Sequence, residues 1–155
     1  MDCTEIGFES PTFTLPTVTS LVGFLFIQLV TIFYKFKKID ENDLFFAVRD
    51  GYPVTALHTL IIPKRHILSF FELNQSEQGG LYTFLDKQKK IIITEDPSVS
   101  AFNIGINDGP EAGRSVDHLH IHLIPRRKGD MDNPRGGVRG VIPEKQKYVK
   151  KDEII

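Results

Sequence analysis

Residues 118–124 read HLHIHLI, placing three of the chain's five histidines at every second position with an aliphatic residue in each gap. In a strand, side chains alternate faces. His118, His120 and His122 therefore share one face, and Leu119, Ile121 and Leu123 share the other. The second face holds all the apolar material and is expected to pack into a core, which disfavours a buried role for the histidines. One histidine would mean little; three in register on one strand are a strong constraint.

The surrounding sequence supplies partners for such a strand. Leu44–Val48 (LFFAV) is a short apolar run stopped by the turn signal Arg49-Asp50-Gly51-Tyr52-Pro53. Leu57–Ile62 reads as a second strand ended by Pro63. Asn74 to about Lys90 has helical spacing, with Leu81, Phe84, Leu85 and Ile92 near one face, and Asp96-Pro97 closes it. A strand follows at Ala101–Ile106, then the loop Asn107–Ser115, then the histidine strand from Val116, ending at Pro125. Arg126–Gly140 is rich in charge, Gly and Pro and reads as a surface excursion. These elements predict an α+β fold, a mainly antiparallel sheet with one principal helix.

The first 35 residues differ from the rest. No charge occurs from Ser10 to Tyr34, and Leu21–Tyr34 reads LVGFLFIQLVTIFY, with Asp2, Glu5 and Glu9 before it and Lys35, Lys37 and Lys38 after it. A packed, β-rich segment is the preferred reading, since a spanning helix wants about 20 apolar residues. The alternative is a membrane contact through residues 10–34, with the lysines keeping the following domain on the cytoplasmic side. Acidic rather than basic residues before the run argue against a secretory signal.

At 155 residues the chain is long enough for one domain with a real core. A formal net charge of −1 argues against a nucleic-acid binder, which needs a basic excess. The one cysteine, Cys3, allows no disulfide and no cysteine-based zinc site within the chain, which fits a reducing, cytoplasmic location.

Three alternating imidazoles suit a metal site, phosphate chemistry with imidazole as nucleophile, or an exposed ladder. The aliphatic surroundings speak against the last. The loop Asn107–Ser115 carries two glycines, a proline, an amide and a hydroxyl, and such a loop can aim backbone N–H groups and the Asn107 and Ser115 side chains at an anion. A metal site would gain from a nearby carboxylate, but Asp117 points to the opposite face. The loop favours phosphate.

His118–Ile124 matches the histidine-triad motif, His-φ-His-φ-His-φ-φ, with every hydrophobic position filled. Loop and motif together, DGPEAGRSVDHLHIHLIPRRKGD, resemble the fragile-histidine-triad (Fhit) branch of that family. Upstream, HTLIIPKRH from His58 to His66 is similar to the family's strand carrying a fourth histidine. The resemblance covers roughly Lys37 to Pro143, leaving residues 1–35 as an atypical apolar segment ahead of a domain spanning 36–155.

The resemblance implies that His120 is the nucleophile attacking the α-phosphorus of a nucleotide, its other ring nitrogen donating to a backbone carbonyl. A neutral imidazole is nucleophilic near neutral pH, and a phosphoimidazole is labile enough to be hydrolysed in turn. By the same resemblance His122 contacts phosphate and assists the leaving group, while His118 supports through a hydrogen bond to His58. His66 falls outside this tetrad and reads as structural. Asp50 matches an acidic position that holds ribose hydroxyls in the Hint-like branch, where the Fhit-like branch has an amide. Asn107, Gly113 and Ser115 match phosphate-contacting positions. The Fhit-like branch has glutamines where this chain has Asn107 and Arg114. Arg114, Arg126 and Arg127 are candidates to meet a polyphosphate, although a solvated basic edge is the preferred reading for the last two.

The function so implied is a nucleotide hydrolase of dinucleoside polyphosphates, working through a nucleotidyl-histidine intermediate and releasing a nucleoside monophosphate. A nucleoside phosphoramidase would use His120 identically, and a non-catalytic nucleotide-binding module is the alternative from a different class. No metal is required, although a divalent cation accompanies polyphosphate substrates. The cysteine pair that binds zinc in some relatives is absent. The expected partners are a small-molecule nucleotide and a second copy in a homodimer.

Overall fold

Five strands and one long helix account for the apolar runs after Lys37. The computed structural model describes residues 37–147. The apolar N-terminal segment, the boundary at residue 35 and the membrane contact through residues 10–34 lie outside the described residues. Among the described residues, no helix is long and apolar enough to cross a membrane.

The strands are β1 (Lys38–Glu41), β2 (Phe45–Arg49), β3 (Thr59–Pro63), β4 (Val99–Gly105) and β5 (Ile121–Arg127). They form one sheet in the order β1-β2-β3-β5-β4, antiparallel at every pairing. Helix α1 (Gln75–Glu95) joins β3 to β4, and a short α2 (Pro143–Gln146) ends the described chain. The α+β class with one principal helix is the observed one.

Helix α1 starts where the sequence stops favouring extension. Asn74 caps it, accepting from the Glu77 amide at 2.9 Å, while the Glu77 carboxylate accepts from the Asn74 amide at 2.9 Å. This reciprocal arrangement satisfies two of the helix's orphan donors. The Glu77 carboxylate, 4 % exposed, is also held by Arg65 at 2.8 and 2.7 Å. The helix runs to Glu95 with Asp96 as its C-cap, where the sequence expects Asp96-Pro97 to close it. Leu81, Phe84 and Ile92 are buried on one face, as the spacing predicts.

That face packs on Phe45, Ala47, Ile61, Leu119 and Ile121. Burying each large aliphatic or aromatic side chain contributes roughly 1.5–3 kcal/mol. Leu123 joins Ile92 and Val99 in an adjoining cluster. The opposite face of the sheet carries a second apolar group, Phe46, Val48, Leu60 and Ile62. His122 stands in this second face, since it pairs with Leu60, which pairs in turn with Val48.

Two expectations need correction. The histidine strand begins at Ile121 rather than Val116, and it runs through Pro125 to Arg127. Ahead of Ile121 the chain is fastened outside the ladder: the Leu119 amide donates to the Ile67 carbonyl at 2.7 Å. Pro125 is tolerated because β3 ends against β5 at Leu123, so only β4 flanks the proline. Second, the histidines are not left on an open face. His118 and His120 are 3 % and 7 % exposed, because the chain from Pro63 to Ile67 lies against His118 while Leu119 and Ile121 fill the helix side.

Candidate active site

The alternation that sorts the triad survives into the structure with unequal environments. His122, inside β5, lies beside His58, which immediately precedes β3. Their rings meet with Nε2 of His58 3.0 Å from Nδ1 of His122. The chain reaches His58 through Leu57, whose φ of 67° is left-handed and the only positive φ at a non-glycine among the described residues. A side chain with a Cβ adopts that conformation at a cost, and such strain gathers at functional sites. Here it turns the 50–57 loop back so that two of its groups face His58. The Val54 amide donates to His58 Nδ1 at 3.2 Å, and Asp50 Oδ2 stands 3.3 Å from the same nitrogen.

Those partners ask for opposite tautomers: the Val54 amide only donates and calls for a lone pair on His58 Nδ1, whereas the Asp50 carboxylate only accepts and calls for a proton there. In the tautomer set by Val54, His58 donates from Nε2 to His122 Nδ1, which leaves the His122 proton on Nε2. That Nε2 is buried and finds no hydrogen-bond partner among the described residues. An unsatisfied buried donor costs about 1–3 kcal/mol. An anionic oxygen is the acceptor that best offsets this cost.

Burial, reinforced by the neighbouring His120 and His58, pushes His122 down to about 4. Burial also lowers His58, against the opposing pull of Asp50, and lowers His118. All three are neutral at physiological pH, donors and acceptors by tautomer rather than by charge.

His120 is set by a different element. Its Nδ1 lies 2.9 Å from the His118 carbonyl, which can only accept, so the proton is on Nδ1 and the lone pair on Nε2. This is the backbone contact the family resemblance implied for a nucleophile. The His120 and His122 rings stand 5.1 Å apart, edge to face.

The implied bond between His118 and His58 is replaced. The structure gives His58 to His122, and it gives His118 to His66, with Nδ1 to Nδ1 at 3.2 Å and His118 Nε2 2.8 Å from the Pro63 carbonyl. His66 is thus a partner of the triad that sequence reasoning set aside. Its signal was the spacing in HTLIIPKRH: Pro63 ends the strand and lets the chain turn His66 back to the first triad histidine.

The loop between β4 and β5 is less open to an anion than its glycines suggest. The amides of Ala112 and Arg114 donate to the Gly109 carbonyl, and the Gly113 amide to the Pro110 carbonyl at 2.9 Å. Gly113 is needed for its φ of 90°. Asn107 is half-buried and Ser115 exposed, so their side chains are what the loop offers. Asp108, which the sequence did not single out, ties the loop down by accepting from Ser69 Oγ and the Phe70 amide, both at 2.9 Å. The candidate arginines are engaged. Arg126 forks onto Asp130, Arg127 onto Asp96, and Arg114 lies 3.1 Å from Asp117.

For a cation, the described residues offer one set: Asp50, His58 and His122 present ligand atoms within 4.8 Å of one another. Zinc would suit two imidazoles and a carboxylate. It would have to displace the Val54 amide or the His58–His122 bond to reach the His58 lone pair.

Known proteins are similar to this chain in sequence and fold. Residues 34–129 match the HIT domain family. The chain is 31 % identical over 119 residues to the bifunctional bis(5'-adenosyl)-triphosphatase/adenylylsulfatase FHIT of Arabidopsis thaliana, covering 73 % of this chain and 65 % of that protein. It is 42 % identical over 78 residues to the asymmetrical bis(5'-nucleosyl)-tetraphosphatase of Schizosaccharomyces pombe, covering 50 % and 42 %. The chain thus spans less than two thirds of the length of either relative. Among solved structures, a zinc-bound histidine triad family protein from Mycobacterium smegmatis superposes with a TM-score of 0.60 at 30 % identity, over 68 % of this chain and 76 % of that one. Motif, fold and matched span agree: this chain belongs to the histidine-triad (HIT) family.

Proposed function

We propose that this protein is a nucleotide hydrolase acting at the α-phosphate of dinucleoside polyphosphates. The observation that carries the reading is the pairing of two opposite tautomers on one face: His120 with its lone pair on Nε2, and His122 with a buried, partnerless N–H on its Nε2. One is a nucleophile and the other a hydrogen-bond donor to the departing phosphate. His120 Nε2 attacks the α-phosphorus, and the bond to the bridging oxygen breaks. The departing phosphate leaves as an oxyanion that accepts a hydrogen bond from His122 Nε2–H. Water then attacks the phosphorus and gives up a proton to solvent, the phosphorus–nitrogen bond breaks with its electron pair returning to His120 Nε2, and a nucleoside monophosphate leaves. His58 keeps His122 in the donating tautomer, and Asn107 and Ser115 serve the phosphate oxygens. A divalent cation would travel with the polyphosphate.

Asp50 favours a second reading at the same site. An acid rather than an amide at the ribose position is the Hint-like choice, and it supports a nucleoside phosphoramidase. A panel of diadenosine triphosphate, diadenosine tetraphosphate and an adenosine phosphoramidate, assayed with wild type and His120→Ala, separates the readings. Turnover that survives His120→Ala removes the nucleophile from this scheme, and nucleotide binding without turnover makes the protein a binding module.

The working unit under this proposal is a cytoplasmic homodimer. Support comes from β4, an edge strand with Ile104 53 % exposed beside an apolar groove lined by Tyr82, Leu85, Ile93 and Phe102. A second antiparallel copy would pair that edge. Light scattering that returns a monomer for the wild type, or a dimer for Ile104→Lys, overturns this arrangement.

A further inference from the structure

We infer that His66 is a positioning residue for the nucleophile, acting through His118 on the tautomer of His120. This rests on the reading of His120 as nucleophile. The stretch from Pro63 to Ile67 fastens the chain just ahead of β5 at three points. The Pro63 carbonyl lies 2.8 Å from His118 Nε2, His66 Nδ1 lies 3.2 Å from His118 Nδ1, and the Ile67 carbonyl accepts from the Leu119 amide at 2.7 Å. The outer two bonds flank the peptide unit whose carbonyl receives His120 Nδ1 at 2.9 Å.

The donor directions follow from the same chemistry. The Pro63 carbonyl only accepts, so His118 bears its proton on Nε2 and its lone pair on Nδ1. His66 therefore donates from Nδ1. Burial keeps His118 neutral, consistent with that order. With its ring held at both nitrogens, His118 cannot turn over, and the backbone carbonyl that it carries is held in place. A displaced carbonyl would release His120 Nδ1–H, and the proton could move to Nε2, the nitrogen that must attack.

The test uses the full chain with 15N-labelled histidine. Two-bond proton–nitrogen spectra report the His120 tautomer in wild type, His66→Asn and His66→Gln, alongside kcat and KM for diadenosine triphosphate. An asparagine amide sits near the place of Nδ1, whereas a glutamine amide reaches the place of Nε2 and misses His118. We expect wild type and His66→Asn to hold the proton of His120 on Nδ1. In His66→Gln the Nε2-protonated form appears and kcat falls roughly 10- to 100-fold, as for other partners that orient a functional imidazole, with KM unchanged. A His66→Gln protein with the wild-type tautomer and wild-type kcat overturns the inference. So do equal losses of kcat in both variants with a lowered melting temperature and an unchanged tautomer, which make His66 merely structural. If the wild type hydrolyses nothing, the proposed function fails, and the tautomer spectra still decide the role of His66.

Discussion

His58 Nε2 lies 3.0 Å from His122 Nδ1, and the Val54 amide holds the far nitrogen of His58 at 3.2 Å. With the Val54 amide as donor to His58, the row of protons runs from Val54 through His58 to the buried Nε2 of His122, against the Asp50 carboxylate that stands 3.3 Å from the same nitrogen. A loop residue ahead of β3 thereby decides what a residue of β5 can donate.

Breaking that row has a leaving-group signature. His58→Phe removes the donor to His122 Nδ1, and His122 then loses its fixed tautomer. We expect hydrolysis of diadenosine triphosphate to slow by about 10- to 100-fold, the usual cost of losing a partner that orients a functional imidazole. Hydrolysis of the p-nitrophenyl ester of AMP, whose leaving group needs no proton, should stay near the wild-type rate. Equal losses on both substrates would mean that His58 serves something other than proton donation.

Stability should fall as the medium turns mildly acidic. His122 is depressed to about 4, and His58 and His118 are depressed in the same direction by burial. Unfolded histidines titrate near pH 6.5, so below that value the unfolded chain binds protons that the folded chain refuses. The stabilisation is complete above about pH 6.5 and is lost progressively towards pH 4. Urea denaturation at a series of pH values should show this slope, and His122→Asn should flatten it. A wild-type midpoint that does not move between pH 7 and pH 5 contradicts the expectation.

The pair of Glu77 and Arg65 should be the most costly polar interaction to break outside the site. Glu77 is 4 % exposed, accepts twice from Arg65 and closes the capping box with Asn74. Glu77→Ala leaves the half-exposed Arg65 with only the Glu72 carbonyl and removes the Glu77 half of the capping box, and we expect a destabilisation of about 3 kcal/mol. Arg65→Ala strands a buried carboxylate instead and should cost as much or more. Denaturant melts that find either change neutral would show the pair to be idle.

Leu57 inverts the usual ranking at a half-buried apolar position. It packs against Ile92, Val99 and Leu123, which favours an apolar replacement, yet its φ is 67°. A β-branched side chain is poorly tolerated in that conformation, whereas asparagine enters it readily. Leu57→Asn should therefore melt above Leu57→Val, and the opposite order would show that packing outweighs backbone strain here.

The face assignment of the triad, the helix and its buried stripe were legible because each is a local period. The tautomer contact of His120 followed from the family resemblance. The partners of His118 and His58 did not, because they depend on how two loops fold back, and nothing in a linear pattern records that the Pro63 bend brings His66 to His118. Burial of the histidines was misjudged for a related reason. Alternation tells which residues share a face, but not what the rest of the chain lays over that face. Gly113 matched a phosphate position in sequence, while its amide is committed to Pro110. Only the path of the loop reveals that.

The ladder between β3 and β5 is short: Thr59 with Leu123, Leu60 with His122, and Ile61 with Ile121. On one side of this seam lie β1, β2 and β3 with His58; on the other lie β4 and β5 with His122. The two histidines that must touch are therefore supplied by different halves of the sheet, joined by three rungs where β2–β3 has five and β4–β5 has six. Fraying at that seam would dismantle the proton row while both halves kept their own strands. Amide exchange at Leu60, Ile61 and Leu123 is accordingly the place to watch for a protein that is still folded but has stopped working.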